Sequence, residues 1–151
     1  MYLVQVMRNV KAVKEIRAFN RFYTNAIGVV DRHILESRYS LTEVRILFEI
    51  YHDPEATARK IKNFLRVDEG YLSRTVEKLI RLGLIVKKQS KVDGRQFMLS
   101  LTKKGEKIFL SLNARSEAAV ESTIAHLSSG EIVELITMVR KIRELLTKES
   151  S

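Results

Sequence analysis

Between residues 57 and 101 the chain carries a run of cap and turn signals whose spacing leaves few folds open. Thr57 and Asp68 are both N-cap residue types, with room between them for only about two helical turns. Ile61, Phe64 and Leu65 follow Thr57 at helical spacing and are expected to face inward, and a tight connection through Arg66 and Val67 leads to Asp68. The next helix, 69–82, is predicted to bury Leu72, Val76, Leu79 and Ile80 and to leave Tyr71, Ser73, Arg74, Glu77, Lys78 and Arg81 on its outer faces, ending at Gly83. Two strand-like segments, 84–90 and 96–101, flank Asp93-Gly94, a strong hairpin signal, and Phe97, Leu99 and Leu101 alternate onto one face of the second. The predicted order is helix, turn, helix, strand, turn, strand.

The flanks read as helix. Residues 8–36 place Val10, Val13, Phe19, Phe22, Tyr23, Ile27, Val30 and Ile34 on one apolar face. Ser40 and Glu43 form a capping box opening a shorter helix marked by Val44, Leu47, Phe48 and Tyr51, which Pro54 ends. Thr102 caps a fifth helix to about His126. A second capping box, Ser128 to Glu131, opens a sixth with Ile132, Leu135, Ile136, Val139, Ile142 and Leu146 on one stripe. With 151 residues and 45% hydrophobic content the chain can bury a core, so a single domain over 1–151 is expected. The expected fold class is mainly α, a winged helix-turn-helix core over 57–101 between long terminal helices at 8–36 and 103–148.

Charge assigns this core a partner. Residues 59–107 hold 14 Lys and Arg against 5 Asp and Glu, whereas 1–58 hold 8 against 7 and 108–151 hold 5 against 6. The whole net charge of +9 therefore sits on the helix-turn-helix and hairpin, as a polyanion-binding face would. An α-helix fits the major groove of B-DNA, and a helix-turn-helix offers the N-terminal part of its second helix to base edges. The basic hairpin completes a winged helix, with Arg95 as the tip residue to reach the adjacent minor groove.

Within this surface Arg74 is read as a phosphate or base contact, and Ser73 as a weaker candidate. Tyr71 either stacks at DNA or packs within the turn. Lys78 joins them from the same helix. Lys87, Lys88 and Lys91 face phosphates, although strand lysines also serve to keep an exposed edge soluble. Asp93 and Arg95 are expected to pair across the wing tip, a clamp compatible with DNA contact by Arg95. Gly70 is read as tolerated in the first helical turn rather than as required for close backbone approach.

Other chemistries find no support. The chain has no cysteine, which excludes a disulfide framework, a thiolate metal site and a thiol oxidant sensor. His33, His52 and His126 have no metal-ligand spacing, and no nucleophile and base arrangement or phosphate-binding glycine loop points to an enzyme; no catalytic residue, metal or cofactor is expected. No apolar run approaches a bilayer span and Met1 to Val6 is too short for a signal peptide's core, so a cytoplasmic protein without membrane contact is expected.

The core resembles the MarR family of transcriptional regulators. The matching residues are Leu41-Thr42, the run Tyr71-Leu72-Ser73-Arg74, Leu79 with Gly83-Leu84, Asp93-Gly94-Arg95, and Leu101-Thr102 followed by Gly105, in family order and spacing over about 41–107. The resemblance implies a homodimer built on the first, fifth and sixth helices, DNA contact at Arg74 and Arg95, and binding to a pseudo-palindromic double-stranded site. It also implies a repressor released by a small anionic or aromatic effector. Residues 17–23, 39–43, 70–74 and 93–96 look like the MarR-type half of chains that continue into an acetyltransferase domain. No such domain follows in this sequence, and the alternative reading is a regulatory or protein-interaction module related to those fusions.

Overall fold

The computed structural model describes the backbone of residues 2–35 and 37–148 and the side chains of 9–26 and 37–148. The elements run α1 (Tyr2–Leu35), α2 (Leu41–His52), α3 (Ala58–Leu65), α4 (Glu69–Arg81), β1 (Ile85–Gln89), β2 (Phe97–Leu101), α5 (Lys103–Ile124) and α6 (Ser129–Thr147). The mainly α winged-helix architecture is the one expected. Helix α1 starts several residues before position 8, because no Gly or Pro stands in Tyr2–Met7 to stop it. The chain divides into two compact units, Met1–Ile27 with Ala118–Ser151 and Gly28–Glu117.

In the Gly28–Glu117 unit, local chemistry sets each boundary. At Ser40 the hydroxyl accepts the Glu43 N–H at 3.2 Å while the Glu43 carboxylate accepts the Ser40 N–H at 2.9 Å, the reciprocal box that starts α2. The hydroxyl of Thr57 accepts from Lys60 N–H and the carboxylate of Asp68 from Tyr71 N–H, capping α3 and α4. Between those helices Arg66 takes φ 52°, ψ 43°, the left-handed conformation that reverses the chain direction. Gly83, at φ 72°, does the same after α4 without a Cβ penalty.

The core gathers Ile46, Leu47 and Ile50 of α2, Ile61 of α3, Leu72, Val76 and Leu79 of α4, Leu84, Ile85 and Leu99 of the hairpin, and Phe109 and Leu112 of α5. Burying each such side chain contributes about 1.5–3 kcal/mol. Two expected core residues are not in it. Phe64 is 65% exposed, because α3 is only eight residues long and its buried face is narrowed to Ile61, with Leu65 packing at the edge. Phe97 is also exposed, since β2 is covered only towards Leu99 and Leu101. On α2, Phe48 and Tyr51 lie at the margin, their rings against Phe109 and His52.

Strands β1 and β2 pair antiparallel, Ile85 opposite Leu101 and Gln89 opposite Phe97. A third, single-residue partner joins them: Thr57 bridges Met98, and Leu99 N–H donates to Ala56 C=O at 2.8 Å. The loop differs from a tight two-residue hairpin. It spans 90–96 and Gly94 does not take positive φ; the turn is closed by Gln96 N–H to Asp93 C=O, with Ser90 N–H returning to Gln96 C=O. At the base of the hairpin, the Thr102 hydroxyl donates to Gly83 C=O at 2.6 Å and accepts Gly105 N–H, starting α5. Gly105 passes so close to Leu84 that a Cβ there would stand 1.9 Å from the Leu84 carbonyl oxygen.

The other unit is helical. On α1, Val10, Val13, Ile16, Phe19, Phe22 and Tyr23 stand exposed, with Phe19 and Tyr23 stacked at 5.7 Å; Ile27, Val30, His33 and Ile34 lie outside the described side chains. The second capping box forms as expected, Ser128 N–H donating to the Glu131 carboxylate at 2.8 Å. Helix α6 buries none of its residues, so the whole stripe from Leu135 to Leu146 is open.

Candidate nucleic-acid interface

Helix α4 is fixed on three sides before any of its outer residues has a role. Leu72, Val76 and Leu79 anchor it in the core, and Lys62 of α3 pairs with Glu69 in its first turn at 3.3 Å. From α2, the Glu43 carboxylate receives Lys78 Nζ at 2.5 Å while its other oxygen holds the α2 cap. Glu43 is buried, so this charge-assisted bond is shielded far better than a surface pair. Lys78 therefore spends its charge on orienting α4. It is still half exposed, and its ammonium, expected from the sequence among the DNA-binding side chains, has a protein partner in Glu43.

The anchoring leaves Tyr71, Ser73 and Arg74 exposed in the N-terminal half of α4. Tyr71 is 41% exposed, and its carbonyl accepts from the buried Thr75 hydroxyl at 2.8 Å. In the wing, Asp93 Oδ1 accepts the Arg95 backbone N–H at 3.0 Å, and no ion pair joins Asp93 to the Arg95 guanidinium among the described residues. The expected clamp thus works through the backbone, which leaves the Arg95 side chain for other contacts. Gln89 donates to Gly94 C=O at 2.5 Å and Ser90 Oγ accepts from Val92 and Asp93, stiffening the tip. Lys88 and Lys91 are exposed along the same hairpin.

A groove of about 560 Å³ runs between the start of α3, the side of α4 and the wing. Arg59, Lys62, Lys87 and Arg95 line it with Ser73 and Glu77. Of the predicted residues it brings together Ser73, Lys87 and Arg95; Tyr71, Arg74, Lys78, Lys88, Lys91 and Asp93 lie outside its lining. Arg59 and Lys62 went unnoticed in the sequence, although both fall in the two turns after the Thr57 cap. Lys87 sits 4.9 Å over the Phe97 ring, which explains an exposed phenylalanine at the wing's edge. Behind α3, Lys60 pairs with Asp53 at 3.1 Å. The Asp53 carboxyl is held below the usual carboxylate range, first by the Glu55 N–H and then by the Lys60 ammonium.

A second cavity, of about 340 Å³, lies between the 37–39 segment and α5, lined by Arg38, Tyr39, Ile108, Ser111, Leu112 and Arg115. It is open to solvent, with the two arginines beside Ile108 and Leu112. Among the described residues no group of three or more His, Asp or Glu is arranged to hold a metal, and no helix is long and apolar enough to cross a membrane.

Residues 40–105 match a winged helix DNA-binding domain family. The HTH-type transcriptional regulator BilQ of Clostridium symbiosum is 33% identical over 107 residues, which span 70% of this chain and 73% of that protein. Among solved structures, Staphylococcus aureus MarR in complex with salicylate and kanamycin matches with a TM-score of 0.78 at 21% identity, covering 93% of this chain and 95% of that one. A mutant MarR from E. coli complexed with operator DNA gives 0.71 at 17% identity, over 87% and 95%. The anchored α4, the backbone-clamped basic wing and the similarity to BilQ converge on one conclusion: the chain belongs to the MarR family of winged-helix, DNA-binding transcriptional regulators.

Proposed function

We propose that this regulator works as a homodimeric repressor that reads a pseudo-palindromic duplex and lets go when a small aromatic anion binds. The basic groove carries the reading: Arg59, Lys87 and Arg95 converge between α3, α4 and the wing, beside Lys62 in its pair with Glu69, where a phosphate backbone flanking an inserted α4 would run. Tyr71, Ser73 and Arg74 meet base edges in the major groove, and Arg95 enters the neighbouring minor groove. Lys88 and Lys91 follow the backbone beside it, while Lys78 acts chiefly by orienting α4 through Glu43. The exposed stripes of α1 and α6 supply the dimer contact, and two-fold symmetry then sets the half-sites about 34–36 Å apart.

For release, the cavity between Arg38 and Arg115 is the proposed effector site, supported by its chemistry and by the salicylate in the S. aureus structure. A ligand preferring one dimer geometry shifts the population away from the DNA-competent one. The groove's basicity speaks against a module that acts through protein contacts alone. Genome-wide recovery of bound DNA tests the reading directly. A two-fold symmetric motif upstream of regulated genes is the expected result; recovery without a shared motif would overturn it. Adding salicylate to the recovered duplex and protein should weaken binding, and Arg115→Ala should blunt that response.

A further inference from the structure

Gly70 sits in the first turn of α4, in a helical conformation that any residue adopts, since Gly83 is the glycine with positive φ. Glycine costs about 1 kcal/mol relative to alanine in a helix interior, and although a first turn tolerates it better, the backbone at 70 gives no reason to require it. The space around it does. A Cβ at position 70 would stand 3.3 Å from Nη1 of Arg74 and 3.2 Å from Oδ2 of Asp68. Long helical side chains lean towards the N-terminus, and here the Arg74 guanidinium lies back over the bare glycine, at the end of α4 that enters the groove. Asp68 flanks the same space while its Oδ2 accepts the Tyr71 N–H.

We propose that Gly70 is a specificity-determining residue. It leaves the channel through which the planar guanidinium of Arg74 reaches a guanine edge, with Asp68 beside it to limit its orientations. Two parallel hydrogen bonds to guanine O6 and N7 require the fork to lie in the plane of the base, so a displacement of a few tenths of an ångström matters more to readout than to stability. A methyl group at 70 crowds both the guanidinium and the capping carboxylate. The inference rests on the DNA-binding reading above and goes beyond it in assigning the readout of one base pair to the pair of residues 70 and 74.

Duplexes selected from a random 30-base-pair pool provide the test, using the full chain as wild type, Gly70→Ala, Arg74→Ala and the double variant. Wild type should recover half-sites with one invariant guanine, and Arg74→Ala should lose that position alone. Gly70→Ala should blur the same position and bind the wild-type-selected duplex about tenfold more weakly, with an unfolding midpoint no lower than wild type. In the Arg74→Ala background the Gly70→Ala change should alter affinity less than twofold. Selection of the same sequence with unchanged affinity by Gly70→Ala overturns the inference. So does an equal loss in both backgrounds, which would trace to the cap or to backbone approach, and so does a wild-type motif indifferent to Arg74→Ala. Failure of wild type to enrich any duplex removes the DNA-binding reading itself and this inference with it.

Discussion

Arg66 occupies the left-handed turn between α3 and α4 with a side chain where glycine is the relaxed choice. That conformation costs an L-residue about 1–2 kcal/mol, so Arg66→Gly should stabilise the fold, by about 1 kcal/mol after glycine's greater unfolded-state entropy is allowed for. Urea unfolding measures this, and a lower midpoint would show that the arginine makes compensating contacts. Arg95 poses the opposite case. Among the described residues its guanidinium has no ion-pair partner, so Arg95→Ala should leave the unfolding midpoint nearly unchanged and weaken DNA binding, with the slope of log affinity against log salt reduced by about 1 if a phosphate contact is lost. Unchanged affinity and slope would count against the wing as a DNA contact. Lys78 shows what single residues conceal in a sequence. Its partner Glu43 is 35 positions away, and nothing in either local pattern announces that an outer-face lysine is answering a buried carboxylate.

Element boundaries were legible wherever side chains bond to nearby backbone. Ser40 with Glu43, Thr57, Asp68, Thr102 and Ser128 with Glu131 all act within three residues of themselves, so their chemistry is written locally. Facing was less legible. Periodicity assigns Phe64 and Phe97 to apolar faces correctly, but where the covering layer stops is decided by distant elements, and both rings fall beyond it. The Asp93-Gly94 pair likewise marked the right place while Asp93's hydrogen bond to Arg95 N–H selected another turn. The candidate site followed the same division: Ser73 and Arg95 were found from the motif, whereas Arg59 and Lys62 join them only because the hairpin folds against α3. Caps also confer pH dependence. Glu131 is held below the usual carboxylate range by the Ser128 backbone N–H and then its hydroxyl. A depressed folded pKa means that the stabilisation is complete above the unfolded value and is lost as pH falls through the folded one. Below the ordinary glutamate range α6 should therefore fray at its N-terminus, seen as loss of amide protection at 131–132, and Glu131→Gln should flatten that acid response.

At the scale of the whole molecule, the winged-helix unit buries a continuous core while α6 buries nothing within the chain. Removing residues 128–151 should then yield monomer or unfolded chain by sedimentation, and a stable dimer after the deletion would refute assembly through the terminal helices. The same uncovered stripe makes stability a matter of mass action. If its apolar surface is covered only by a second copy, folding and association share one equilibrium, and the thermal midpoint must climb as protein concentration rises. A regulator of this kind would be less robust when scarce, so the number of copies in a compartment would set how much of it is in folded form as well as how much DNA it occupies.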